Sequence, residues 1–88
     1  MEIISQNAGK VLLEIYLEYK EKNKVPFFEE LLKTTKMQEY ELKMALKYCY
    51  EKGFVDLTIV SSMGFQLLHE PFIIKDITAQ GIDVIEKI

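Results

Sequence analysis

The sequence predicts one small α+β domain, mainly helical, with a three-helix core, a β-hairpin and a short C-terminal helix. Three observations predict it. Apolar residues recur at helical spacings from Asn7 to about Lys52. The period drops to two directly after Gly53. Thr78 then introduces a last helical stripe. A chain of 88 residues has room for one core, so residues 1–88 are read as a single domain.

The first helix is expected from Asn7 to Lys22. Ala8, Leu12, Ile15 and Tyr19, with Val11 beside them, share one face. Leu13, Tyr16, Leu17 and Lys20 form a second stripe, and the polar run from Lys20 to Lys24 is the exit. Pro26 suits the first position of a second helix, where its missing N–H would go unpaired anyway. Phe27, Phe28, Leu31 and Leu32 give that helix its apolar face, while Glu29 and Glu30 favour the positive end of its dipole. Thr34, Thr35 and Lys36 are expected to break it, because hydroxyl side chains compete for backbone hydrogen bonds.

A third helix is expected from Met37 or Gln38 to Lys52. Leu42, Leu46 and Cys49 face inward, with Met37 and Ala45 near them, and Glu39, Lys43, Lys47 and Glu51 face away. Lys52-Gly53 ends it, the glycine taking a left-handed cap. Val55, Leu57 and Ile59 then alternate as one side of a strand. Ser61 to Gly64 reads as a turn and Phe65 to His69 as the returning strand. Pro71 marks an irregularity, and Phe72 to Ile77 reads as extended. The last helix carries Ile82, Ile85 and Ile88.

Composition narrows the function classes. With 49% hydrophobic and 28% charged residues the chain is an ordinary globule. A lone cysteine, Cys49, allows no internal disulfide and fits a reducing cytoplasm, the expected location. The apolar runs are far short of the roughly 20 residues that cross a bilayer. No glycine-rich phosphate loop, nucleophile–base pair or carboxylate dyad is present, so no enzyme is expected. Cys49 and His69 do not make a metal site, and no cofactor is expected.

The order of elements resembles that of winged helix-turn-helix domains. Leu46-Lys47-Tyr48-Cys49-Tyr50-Glu51-Lys52-Gly53-Phe54-Val55 is similar to the end of a recognition helix entering the wing in prokaryotic regulators. Ile77-Thr78-Ala79-Gln80-Gly81-Ile82 resembles the threonine-capped helix that follows the wing. The resemblance implies a transcriptional regulator that docks its third helix in the major groove of double-stranded DNA. It places Gln38, Tyr40, Lys43 and Lys47 against bases or phosphates, with Glu39, Glu41 and Met44 on the same surface. Thr34, Thr35 and Lys36 would sit near a phosphate. Ser61 and Ser62, at the wing tip, would lie beside the backbone.

Three features of the sequence favour an alternative, a winged-helix module that binds protein without DNA. All 11 basic residues are lysines, so the bidentate arginine–guanine contact is missing. Glu39 and Glu41 stand where phosphates would approach, and the turn Ser61 to Gly64 has no lysine. The net charge is −3, and only residues 20–52 are net positive. Leu13, Tyr16, Leu17, Val84 and Ile88 form stripes away from the expected core and are candidates for a homodimer interface.

Overall fold

The structure, a computed structural model, describes residues 6–59 and 72–87. In chain order these form α1 (Gln6–Lys22), α2 (Phe28–Thr35), α3 (Glu39–Glu51), β1 (Val55–Ile59), β2 (Phe72–Ile77) and α4 (Ala79–Lys87). The architecture is α+β, with four helices and one two-stranded antiparallel sheet among the described residues. The predicted turn at Ser61–Gly64, the predicted strand Phe65–His69 and Ile88 lie outside the described residues.

The inward stripe of α1 is the one its spacing predicts. Ala8, Val11, Leu12 and Ile15 are fully buried, and Tyr19 packs on them half-buried. They meet Leu42, Ala45, Leu46 and Cys49 of α3, Leu31 of α2 and the inner face of the sheet. The Cys49 thiol donates to the Ala8 carbonyl at 3.6 Å. Helix α1 closes at Asn23, whose left-handed backbone (φ 56°) returns its N–H to the Tyr19 carbonyl.

Helix α2 starts later than its proline suggests. Phe27 is the N-cap, and the Glu30 carboxylate accepts the Phe27 N–H at 2.8 Å. Pro26 therefore precedes the helix instead of opening it. Phe27 points outward, 72% exposed, and leaves the apolar face to Leu31, with Phe28 and Leu32 half-buried. The break also differs in detail. Thr34 and Thr35 stay helical and donate their hydroxyls back to the Leu31 carbonyl. The turn itself falls on Lys36, left-handed at φ 59°.

Helix α3 ends as its Lys-Gly pair predicts. Gly53 adopts φ 78°, its N–H reaches the Tyr50 carbonyl, and the Phe54 N–H reaches that of Cys49. This paired exit turns the chain so that Phe54 is buried beneath the helix.

Strand β1 pairs with β2, whose sequence was read as extended. The register shifts between Asp56 and Leu57, so Lys75 is an extra residue on β2. That bulge explains how Ile74 and Ile77, three apart, both face the core beside Val55 and Leu57. A regular strand would turn one of them outward. Lys75 remains exposed, 3.9 Å from Asp56.

Residues 78–81 fasten α4 to the exit of α3. The Thr78 hydroxyl donates to the Gly53 carbonyl at 2.6 Å and accepts the Gly81 N–H at 3.0 Å. The Thr78 N–H donates to the Phe54 carbonyl, and Gln80 Nε2 donates to the Lys52 carbonyl. Thr78 is thus both the expected N-cap and a bridge. Replacing it with alanine removes both hydroxyl bonds, and we expect a loss of about 2 kcal/mol in a urea titration. Thr78→Ser should recover most of it.

Candidate docking interface on the third helix

Tyr40, Met44 and Tyr48 recur every four residues and stack along one side of α3. Tyr40 is 61% exposed and Met44 42%, while Tyr48 is half-buried with the Lys52 ammonium 5.6 Å from its ring centre. These side chains line an open groove of 340 Å³ together with Glu41, Ala45, Lys47 and Glu51. Asn7, from the start of α1, completes the lining.

Much of the charge on α3 is engaged within the helix. Lys47 lies 3.0 Å from Glu51, and Lys43 lies 3.2 Å from Glu39. Glu41 accepts the Gln38 N–H at 3.1 Å and so closes the helix N-terminus. Glu39 and Glu41, which looked out of place beside phosphates, thus have structural partners. Lys43 requires a correction: its sequence position suggested the solvent face, yet it is only 6% exposed. A lysine stem can cover apolar surface while its ammonium reaches an edge, here the exposed Glu39 carboxylate.

Thr35 also differs from its expected placement near a phosphate. It is buried, its hydroxyl donating to Leu31 and accepting the Met37 N–H at 3.3 Å. Thr34, Lys36, Gln38 and Tyr40 are exposed at or just after the end of α2. Lys33, also exposed there, is a cation that the sequence reading passed over. Ser61 and Ser62 lie outside the described residues.

On α1, Leu13 and Leu17 are exposed. Of their expected neighbours, Tyr16 and Val84 are engaged within the chain, and Ile88 lies outside the described residues. The Tyr16 hydroxyl donates to Glu86 Oε2 at 2.8 Å, and Val84 packs half-buried against the core. The Glu86 carboxylate, as acceptor and as negative charge, raises the Tyr16 phenol above its usual range, with partial desolvation contributing.

Burial pushes the Cys49 thiol up to about 12. It is therefore no nucleophile at neutral pH. The unfolded thiol ionises near 9.0 while the folded one stays protonated to about 12, so folding stability falls as pH rises through that window. At pH 10 the thiol's share is about 1.4 kcal/mol. The alkaline fall in stability should be smaller in Cys49→Ala, measured by denaturant titrations at pH 8 and pH 10.

Among the described residues no helix is long and apolar enough to cross a membrane, and no group of three His, Cys, Asp or Glu side chains could hold a metal. No protein-family model, curated protein or solved structure matches the chain.

Proposed function

We propose that this chain is a winged-helix-type domain that docks a protein partner through the outer face of α3. The observation that carries the reading is the exposed Tyr40–Met44–Tyr48 stripe, set between glutamate–lysine pairs. Tyrosine and methionine are enriched at protein interfaces, and methionine adapts its shape to a partner. Docking on DNA relies instead on cations available to phosphates. Both lysines within α3 face a glutamate of the same helix. The winged-helix assignment rests on the element order, the glycine exit of α3 and the threonine-capped α4.

A second reading, transcriptional regulation by insertion of α3 into the major groove of DNA, is favoured by a different observation. Lys36, Met37 and Gln38 make a three-residue turn between α2 and α3, with Lys33 and Lys36 exposed beside it. The Lys47–Glu51 pair is worth only about 0.5 kcal/mol, so Lys47 is available for exchange to a phosphate. A homodimer joined through Leu13 and Leu17 would accompany this reading, because two copies present two third helices.

Fluorescence anisotropy with double-stranded DNA at low salt separates the two. The protein-docking reading predicts no saturable binding. Binding that weakens steeply with salt, with a log–log slope of about 3 for Lys33, Lys36 and Lys47, and is lost in Lys33→Glu/Lys36→Glu, would establish the DNA reading instead.

A further inference from the structure

We propose that the α3 groove receives a basic amphipathic helix, an inference that rests on the protein-docking reading above. The groove lies between α3 and the start of α1, and its apolar lining of Tyr40, Met44, Ala45 and Tyr48 follows the α3 axis. From Tyr40 to Tyr48 the stripe runs about 12 Å, or a little over two helical turns. That length suits the apolar face of a short helix laid into a groove between two others.

The carboxylates choose the partner's charge. Glu41 and Glu51 line the groove ten positions apart on α3, about 15 Å along the axis, and so stand near the two ends of the apolar floor. Among the described lining residues Lys47 is the only cation, and it pairs with Glu51. That pair is exposed, so a partner lysine or arginine can share Glu51 at small cost. The described lining therefore carries one carboxylate in excess, and the chain as a whole is at −3. A helix with two apolar anchors between terminal basic residues complements it; one with terminal acids meets repulsion at Glu41 and gains no carboxylate partner at Glu51.

The experiment titrates the whole chain with two fluorescein-labelled, three-turn helical peptides. Both carry the same leucine and phenylalanine anchors, one with lysines at each end and the other with glutamates. The lysine peptide should bind at least tenfold more tightly at low salt, and this preference should shrink in Glu41→Gln/Glu51→Gln. The amide at position 41 keeps an oxygen that can accept the Gln38 N–H, so the fold should survive, and a circular-dichroism melt verifies it. Equal binding of the two peptides, with both weakened by Tyr40→Ala, would overturn the charge assignment while leaving α3 as a docking face. Absence of binding by either peptide at about 1 mM would overturn the helix-in-groove inference itself. The docking reading fails separately, if Tyr40→Ala leaves the affinity of a bound peptide unchanged.

Discussion

Gly81→Ala should destabilise the protein by about 3 kcal/mol or more. Gly81 is buried in the first turn of α4, and a Cβ there would fall on the Phe54 carbonyl, with the Phe54 carbonyl carbon and Ile77 close behind. The obstacle is backbone, so no rotamer change relieves it. The same carbonyl accepts the Thr78 N–H, and the neighbouring Gly53 carbonyl accepts the Thr78 hydroxyl. Moving α4 away would therefore break the bonds that fasten it. An alanine ordinarily stabilises a helix relative to glycine by about 1 kcal/mol, so the steric term must overcome that gain. For a domain of this size the melting temperature should fall by about 10 °C or more. An unchanged melt would mean that the close packing of α4 on Phe54 is wrong.

The second large effect concerns function without stability. Tyr40→Ala/Met44→Ala should weaken binding of a protein partner about 100-fold while shifting unfolding free energy by less than about 0.5 kcal/mol. Tyr40 is 61% and Met44 42% exposed in the free protein, and neither belongs to the buried core, so truncation costs the fold little. In a complex they would become the apolar centre, where a few residues carry most of the binding energy. Isothermal calorimetry on the complex and a urea titration on the free chain read the two quantities. A variant that loses stability as much as affinity would move these residues from the interface to the fold.

The core of the fold was legible because helical spacing reports burial directly: Ala8, Val11, Leu12, Ile15, Leu42, Leu46 and Cys49 are all inside. Caps that depend on local geometry were legible too, at Gly53 and Thr78. Placements settled by competition were not. Pro26 offered a helix start, but the Glu30 carboxylate caps Phe27 instead. Ile74 and Ile77 have no common face in a regular strand, and nothing in their spacing announces the bulge at Lys75. The candidate site was half legible. Tyr40 and Met44 were placed on the outer surface of α3, whereas Lys43 was assigned to solvent because spacing cannot show where a long stem will lie. The place of Tyr48 four residues beyond Met44 was the available clue to the groove.

The proposed contact of the outer face of α3 with protein can be read directly by crosslinking in cells. A photo-crosslinking amino acid, p-benzoylphenylalanine, can replace Tyr40 in one sample and the exposed Glu21 of α1 in another, with irradiation in the source cells. A discrete protein adduct is expected from position 40, resistant to nuclease and absent from position 21. A position-40 adduct that nuclease removes, or the same adducts from both positions, would contradict it.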